Sequence, residues 1–443
     1  MSAPAEPRRS QRIVGIDVCR SIAILLAMLS HTLIEFRVFH FVGDAATVPR
    51  FLIQMAPVTF ICLFGAMLEI VYKPRVEGPR RASALRQLYI RAVQCYLLYC
   101  LTIVVMVLVG DISVGYALRC ILMLGASPYA DILKFYALAL LLAPALLSLR
   151  LRFGLAPLLG LGLGIQLIWP LLQHIPGPPL VFGREYLEMP LGFLYGGGEG
   201  VGGPSLLHGL SLVCIGMVLG HAGTRFLDPA PGGRRRGVML LGGLFLLATV
   251  ASALMWYWSA PFATVQGIAD MSLRNENHPI YFSLGLGFTV ASVLLCVLAL
   301  DVFQRSWGSR LQFMGKTSLF TFSFGNILLY ASPEPHRGLA TAALMAAVFF
   351  ALICAQSYLF MRLMMPAAPD APLAWKALTG RFQQLVRRLQ QPISGAGDAV
   401  LKPAQSKALY FVADGTGGHV FADTLAEHNA NVKKWYAIRR ARG

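Results

Sequence analysis

Charged side chains are scarce in this chain. Of its 443 residues only 13% are Asp, Glu, Lys or Arg, whereas 56% are hydrophobic and the mean hydropathy is +0.62. A soluble domain usually has about a quarter of its residues charged. The composition therefore excludes an ordinary soluble domain and predicts a membrane protein that crosses the bilayer many times.

Acidic residues are scarcer still. The chain has 21 Asp and Glu against 38 Lys and Arg, which gives a formal charge of +17. The basic residues gather in every second loop between apolar runs and in the C-terminal part. We therefore interpret them as residues that face membrane lipid or lie in the tail, and we predict no nucleic-acid partner.

Motifs of cysteine and metal chemistry are missing. The chain has 8 cysteines but no Cys-X-X-Cys and no His/Cys cluster with metal-ligand spacing, and its 9 histidines are scattered. Almost all of the cysteines lie inside apolar runs, where a free thiol behaves as a small apolar side chain. We predict packing roles for them, and no metal site.

Apolar runs of spanning length are what the chain does contain. A transmembrane helix needs about 20 apolar residues. The runs lie near 15–36, 51–72, 88–109, 130–149, 153–173, 205–223, 238–259, 280–301, 317–331 and 339–363. They predict an all-α polytopic membrane protein with about ten transmembrane helices. The stretch from Tyr116 to Gly125 is a candidate for a further short helix. No small-residue cleavage site follows the first run, so we expect an uncleaved helix rather than a signal peptide.

The distribution of Lys and Arg predicts the orientation. Basic residues precede the first run and lie between the second and third, fourth and fifth, sixth and seventh, and eighth and ninth. The alternate loops have far fewer. Cytoplasmic loops are the ones enriched in Lys and Arg, so we expect both termini in the cytoplasm.

The first run, GIDVCRSIAILLAMLSHTLIEF, contains four ionisable residues: Asp17, Arg20, His31 and Glu35. At about 100° per residue they fall on one stripe of a helix. Each such group costs on the order of 2.5–3.5 kcal/mol at membrane depth, so it normally faces a protein interior or a wet cavity. One face of this helix is therefore predicted to be functional and the other to face lipid.

A structural interpretation of the stripe is also possible. Asp17 and Arg20 would reach one headgroup layer and Glu35 the other, and His31 would be a hydrogen-bonded packing residue. Arg20 on the same face as His31 favours the functional interpretation.

Arg20, ten intervening residues and His31 resemble the Arg-X10-His signature on the first helix of the acyltransferase 3 superfamily. Members of that family transfer acyl groups to extracytoplasmic sugars. The preceding RIVGID is similar to the family's approach to this helix. The family usually has glycine after the arginine, whereas this chain has Ser21, which is still small.

Three later segments extend the resemblance over about the first 150 residues. VTFICLFGAMLEIVY is similar to the family's second helix, with Gly65 near its centre. LYIRAVQCYLLYCL and DILKFYALALLLAPALLSL resemble the third and fourth helices of the OpgC branch, whose members succinylate periplasmic glucans.

The resemblance implies a chemistry for the stripe. His31 would be the general base that takes the proton of an attacking sugar hydroxyl, and Arg20 would orient the donor or stabilise developing negative charge. Asp17 or Glu35 would hold the imidazole or the guanidinium. The donor would be acyl-CoA, with acetyl and succinyl both open.

Coenzyme A carries several phosphate charges, and Arg81, Arg86 and Arg91 could pair with them on the cytoplasmic side. Ordinary positive-inside charge is the favoured interpretation of Arg81 and Arg86. Arg91 lies within the apolar run of the third helix, so it either faces inward and holds the donor or reaches out to the surface.

The second half resembles the family more loosely. Its long outer loop, 173–204, includes Arg184 and a glycine run around Glu199, and is a candidate acceptor rim or a plain linker. The loop ADMSLRNENHP, 269–279, has residues that suit sugar hydroxyls or simple solvation. GKTSLFTFSFGNILLY resembles the family's late helix, where relatives carry a histidine and this chain has Asn326.

The composition changes after Pro366. We predict a transmembrane acyltransferase-like domain over 1–365, a basic amphipathic linker over 366–391 and a small cytoplasmic tail over 392–443. In the tail, ALYFVADGTGGHVF and LAEHNANV closely resemble the C-terminal end of the endolytic murein transglycosylases. The segment that carries their catalytic glutamate has no counterpart here. We therefore interpret the tail as a fragment acquired by fusion or read-through and assign no catalysis to Asp414, His419 or His428.

Three classes of function compete on these grounds. The resemblance implies an acyltransferase of the bacterial inner membrane that modifies a periplasmic or cell-surface glycan. A polytopic transporter without acyl-transfer chemistry is the alternative, since charges at membrane depth also mark substrate paths. A wall-cleaving enzyme rests on the tail alone.

Overall fold

The computed structural model describes residues 13–127, 129–181, 185–196, 202–228, 232–305, 310–333, 338–368, 370–401, 410–413 and 419–442. The chain divides into two units, residues 1–393 and residues 394–443. Arg184, Glu199 and Asp414, for which expectations are stated above, lie outside the described residues.

In the described part of its first half the chain has eleven helices: α1 (Val14–Glu35), α2 (Val38–Val42), α3 (Thr47–Ile53), α4 (Ala56–Met67), α5 (Lys73–Glu77), α6 (Arg81–Leu108), α7 (Val114–Ile121), α8 (Asp131–Phe153), α9 (Ala156–Leu167), α10 (Trp169–Leu172) and α11 (Glu188–Tyr195). The second half contains α12 (Leu206–Phe226), α13 (Gly233–Tyr257), α14 (Pro261–Ala269), α15 (Ser272–Asn275), α16 (Pro279–Val297), α17 (Gln312–Lys316), α18 (Ser318–Tyr330), α19 (Leu339–Met364), α20 (Leu373–Leu401), β1 (Tyr410–Ala413), β2 (His419–Ala422) and α21 (Leu425–Arg442). A 3₁₀ turn, Gly43–Ala46, and two π turns, Leu68–Tyr72 and Leu298–Val302, complete the elements.

Within the described ranges, 8 continuous helical segments are long and apolar enough to cross a bilayer. They are α1, the composite segment Val38–Glu77, α6, α8, α12, α13, the α16 segment to Val302, and α19. Two shorter apolar helices, α9 and α18, stand where the fifth and ninth spans are predicted. The predicted all-α polytopic fold is confirmed. The 12 residues of α9 extend only about 18 Å, well short of a hydrocarbon core of about 30 Å.

The centre of the first unit is the pair α12 and α4. Almost all of α12 is buried, which is unusual for a membrane helix because most spans keep one face in lipid. Glycines allow the close approach: a Cβ added at Gly216 would overlap the carbonyl oxygen of Cys62, and one at Gly65 would overlap that of Val213. Without a hydrophobic force between helices in lipid, such close packing is a main source of association.

Both π turns place an acidic side chain against another helix. In the second turn, the Asp301 carboxylate accepts hydrogen bonds from the backbone N–H groups of Val14 (2.8 Å) and Gly15 (2.7 Å). These are two of the orphan donors at the start of α1, where a negative charge also complements the helix dipole. The N-terminus of α1 is therefore fixed by a residue 286 positions away in sequence.

The cysteines pack as predicted. All 8 are free, and 6 are buried; only Cys100 and Cys354 are partly exposed.

The basic amphipathic segment is helical within α20. The side-chain amide of Gln383 donates to the carbonyl oxygens of Leu363 (3.1 Å) and Met365 (3.2 Å) at the end of α19. Leu378, Leu385 and Leu389 are exposed. An inner-leaflet position for these leucines remains a prediction.

The second unit contains a small antiparallel hairpin. Strands β1 and β2 pair with Tyr410 opposite Ala422 and Ala413 opposite His419. The helix α21 follows and packs on the hairpin.

The glycine packing predicts the effect of one added methyl group. Gly216→Ala should lower the melting temperature of the purified protein, because the Cβ has no space beside Cys62. Gly242→Ala on α13 is the matched control: nothing lies within 4 Å of its added Cβ, so it should leave the melting temperature unchanged or raise it. Equal melting temperatures for the two variants would contradict the packing described here.

Candidate functional site

The polar stripe on α1 forms two groups at different depths. Arg20 and His31 are eleven residues apart, which places their Cα atoms about 16 Å apart along the helix axis. Arg20 and His31 therefore lie on the same face of α1 but toward opposite ends of the helix.

Asp17, Arg20 and Ser21 form the first group, near the N-terminus of α1. The Arg20 guanidinium lies 3.6 Å from the Asp17 carboxylate and donates to the carbonyl oxygen of Gly315, just before α18. The Ser21 hydroxyl accepts from the Gly315 N–H at 2.7 Å and donates to the Asp17 carbonyl at 2.9 Å. The serine that departs from the family pattern thus holds α1 against the chain before α18.

His31 is the centre of the second group. Its Nδ1 lies 2.8 Å from Oδ1 of Asn326 on α18. An amide oxygen only accepts, so Nδ1 carries the proton and donates it in this bond. In a neutral imidazole the other nitrogen, Nε2, then has a free lone pair. The contact thus selects the tautomer that a general base requires.

Aromatic rings enclose the imidazole. The ring of Tyr129 lies 4.5 Å from that of His31, and Phe322 lies edge-on at 5.4 Å. Phe322 and Asn326 are four residues apart, so they present neighbouring side chains on α18. His31 nevertheless keeps some accessible surface, and the Asn326 amide nitrogen is buried without a hydrogen-bond partner among the residues described. The imidazole can therefore be reached from outside, whereas the amide nitrogen lies beneath it in the protein interior.

Tyr129 reaches His31 through an unusual backbone conformation. Its φ is +58°, in the left-handed region that costs a non-glycine residue on the order of 1 kcal/mol. Its hydroxyl interacts with the Glu35 side chain. Burial raises the pKa of Tyr129, so the phenol stays protonated and can donate to the carboxylate. Glu35 therefore lies next to Tyr129, and its role in holding the imidazole or the guanidinium stays a prediction.

The loop before Tyr129 is tied down by tyrosine hydroxyls. Tyr96 and Tyr99 on α6 donate to the carbonyl oxygens of Ile121 (2.7 Å) and Cys120 (3.1 Å) at the end of α7. Tyr116 donates to the carbonyl of Ala126 at 2.9 Å. The short helix α7 agrees with the predicted extra helix, and the loop after it is fixed at several points.

A buried ion pair completes this support. Lys134, only 1% exposed, lies 3.1 Å from the Asp131 carboxylate and donates to the Gly125 carbonyl at 3.1 Å. The Asp131 carboxylate also accepts from the backbone N–H and the hydroxyl of Ser127. Because a buried charge is tolerated only when paired and hydrogen-bonded, this network holds the loop in one conformation.

Arg274 lies in α15, in the loop before α16. Its guanidinium lies 3.4 Å from Oε1 of Gln54, which directly follows α3, and α3 packs against α1. In the sequence it is one polar residue among several in 269–279. A different member of that loop, Asn277, has a structural role: it is 1% exposed and its Oδ1 accepts from the Ser205 N–H at 2.7 Å.

The predicted donor-binding arginines lie apart from both groups, on α6. Arg81 and Arg91 are exposed, and Arg91 lies over the ring of Tyr72 at 5.9 Å. The alternative in which Arg91 is buried facing inward is therefore wrong, because the turn of α6 points it outward. Arg86 is partly buried.

An ionic cluster that the sequence analysis missed lies at the same end as Asp17. Arg150 donates from Nε (3.0 Å) and Nη2 (2.8 Å) to the Glu69 carboxylate, and Nδ1 of His221 lies 3.3 Å from the same carboxylate. Glu69 stands in the first π turn and is 4% exposed. The sequence signal for this cluster was Glu69 itself, a carboxylate within an otherwise apolar run. Arg150 was interpreted only as a loop charge.

Two family models match parts of the chain. The family "Heparan-alpha-glucosaminide N-acetyltransferase, catalytic" matches residues 12–182, and the "YceG-like family" matches residues 389–434. No curated protein matches the chain.

The first match includes Arg20, His31 and Tyr129 but ends before Arg274 and Asn326. It confirms the prediction of an acyltransferase enzyme in the membrane, and the second supports the resemblance noted for the tail. The narrower resemblance to the OpgC branch stays a prediction.

The contact between Asn326 and His31 predicts the effect of two substitutions. Asn326→Leu removes the acceptor while keeping a side chain of the same branched shape, and should lower the acyl-transfer rate about tenfold or more, because the imidazole loses its fixed tautomer. Asn326→Asp keeps an oxygen that accepts from Nδ1 and should retain more of the rate. Turnover of the purified variants at equal concentration measures both. Full activity in Asn326→Leu would contradict the assigned role.

Proposed function

We propose that the first unit is a membrane O-acyltransferase that moves an acyl group, acetyl or succinyl, from acyl-CoA to a hydroxyl of an extracytoplasmic glycan. His31 is the general base in this proposal. The observation that carries it is the 2.8 Å contact between His31 Nδ1 and Asn326 Oδ1, since it leaves Nε2 unprotonated.

The reaction needs one proton acceptor. The acceptor hydroxyl attacks the thioester carbonyl carbon while its proton passes to Nε2 of His31. The new C–O bond forms, the C–S bond breaks, and the proton is returned to the thiolate of CoA. General-base help of this kind is typically worth about 10²–10⁴ in rate. The unpartnered Asn326 amide N–H is a candidate donor to substrate oxygen.

The two polar groups on α1 lie at different depths and have different roles in this proposal. Arg20 lies about 16 Å from His31 along the helix, too far for both to act on one atom, so its role is to orient the donor rather than to stabilise the charge of the reacting carbonyl. The long pantetheine arm of CoA suits this separation. Its phosphates would stay at the cytoplasmic surface, where Arg81 and Arg86 supply positive charge.

The acceptor side is the end with Glu35, Tyr129 and Arg274. An aromatic ring next to polar groups is well suited to the apolar face and hydroxyls of a sugar. The matching family is named for an N-acetyltransferase of a glucosaminide, so an amine is the second candidate acceptor, and glucosamine-containing acceptors belong in the assay beside glucans.

The test asks whether a substitution abolishes acyl transfer while the protein is still made and inserted in the membrane. His31→Ala should abolish acyl transfer, because it removes the proton acceptor while lowering the cost of membrane insertion. Arg20→Lys should also fail, since a point charge replaces the planar fork that holds Gly315 and Asp17. Glu35→Gln should be milder, because it keeps a partner for Tyr129.

Acyl-CoA consumption and labelled glycan are measured at equal concentrations of purified protein in nanodiscs. His40→Ala, at an exposed histidine in α2, and Arg152→Lys, at an exposed arginine in α8, are the matched controls and should keep the wild-type rate. Wild-type turnover per molecule in His31→Ala would end this mechanism and make a transporter the leading account.

A further inference from the structure

Arg274 is a cation whose hydrogen bonds are incomplete. Its guanidinium lies 3.4 Å from Oε1 of Gln54 and 3.5 Å from Oδ1 of Asn275. Both distances exceed the usual 2.9–3.0 Å of an N–H···O bond. Its Nε is buried with no hydrogen-bond partner in the part of the chain that the structure describes.

The guanidinium also lacks a carboxylate. Two other cations that are at least partly buried have acidic partners close by: Glu69 for Arg150 at 2.8 Å and Asp131 for Lys134 at 3.1 Å. No described Asp or Glu forms an ion pair with Arg274. Burial lowers the pKa of Arg274, which means that its surroundings disfavour the charge. A cation left in this condition is favoured only when an anion joins it.

The position of Arg274 connects it to the proposed reaction. Its contact Gln54 directly follows α3, which packs against α1. The Tyr281 hydroxyl holds Gln54 in place by donating to its carbonyl at 3.0 Å. Arg274 belongs to an outer loop of the predicted topology. It therefore lies on the acceptor side of His31, away from the arginines at the cytoplasmic end.

The loop that carries Arg274 is preorganised: its backbone conformation is fixed by contacts within the protein. Met271 and Asn277 both have positive φ, +74° and +55°, and the backbone carbonyl of Arg274 lies so close to Gly203 that a Cβ there would overlap it. The Trp169 indole N–H donates to the Glu276 carbonyl at 2.9 Å. Strained, well-supported backbone of this kind is typical of functional loops, because it presents a side chain without further ordering on binding.

We propose that Arg274 is an anion-binding residue of the acceptor site, and that the acceptor glycan carries a carboxylate or phosphate group close to the hydroxyl that is acylated. This inference rests on the proposed function. A bidentate guanidinium contact to such a group is short, charge-assisted and directional. It would hold the acceptor in one orientation against Nε2 of His31.

The test compares neutral and anionic acceptors of one length: a gluco-oligosaccharide, its uronic-acid counterpart and its phosphorylated counterpart. For the wild-type protein kcat/KM should be at least about tenfold higher for an anionic acceptor, as expected for one good charged contact. Arg274→Gln should reduce this preference at least about fivefold, mainly through KM, and Arg274→Lys should restore part of it. Comparison of the uronate with the phosphate identifies which anion fits.

Arg119→Gln is the matched control, because Arg119 is an outer arginine that lies over the ring of Tyr186 at 5.1 Å. It should leave the preference unchanged. Two results would overturn the inference: equal kcat/KM for neutral and anionic acceptors, or an equal fall in kcat for all acceptors in Arg274→Gln, which indicates stabilisation of the reacting oxyanion instead.

Direct binding separates this inference from the proposed function. The dissociation constant of the uronate and phosphate oligosaccharides is measured on wild-type and Arg274→Gln protein, with melting temperatures to verify folding. If no acceptor is acylated, the proposed function fails. Weaker binding of the anionic acceptors to Arg274→Gln then still supports the anion site, and unchanged binding rejects it.

Discussion

The hydrogen bond between His31 and Asn326 is the contact on which the site depends. It joins α1 to α18 through two residues that are 295 positions apart in the sequence. It also determines which imidazole nitrogen carries the proton. Phe322 and Tyr129 then exclude most solvent from the ring, which strengthens the polar contact by lowering the local dielectric. One bond thus sets the orientation of the imidazole and, in its neutral form, the tautomer.

The rest of the bundle keeps those two helices in register. Asp301 holds the first N–H groups of α1, and Ser21 and Arg20 hold the backbone of Gly315 just before α18. α1 and α18 are therefore fixed to each other near one end by polar contacts and near the other by His31 and Asn326. In lipid, where burial of apolar surface does not drive helix association, such contacts and close glycine packing have to supply the specificity.

Sequence patterns predicted the framework better than the site. The polar stripe of α1 and the apolar runs follow from local periodicity, so the helices and the positions of Arg20 and His31 could be predicted. The separation of those two residues by depth was implicit in the helical rise. Tyr129 was not identified because its role depends on a left-handed backbone and on a loop fixed by distant tyrosines. Asn326 was noted only as the residue in place of a family histidine, since its partner is defined by tertiary packing.

The central claim is that His31 accepts the proton while an acyl group passes from a donor to an acceptor, and that these two substrates approach from opposite ends of α1. Proteoliposomes with protein inserted in one orientation test it directly, with labelled acyl-CoA on one side and a membrane-impermeant oligosaccharide on the other. The account predicts labelled oligosaccharide only when the donor faces the basic loops and the acceptor faces the Arg274 loop. It also predicts no label with His31→Ala. Label that forms only with both substrates on the same side, or that persists without His31, would contradict it.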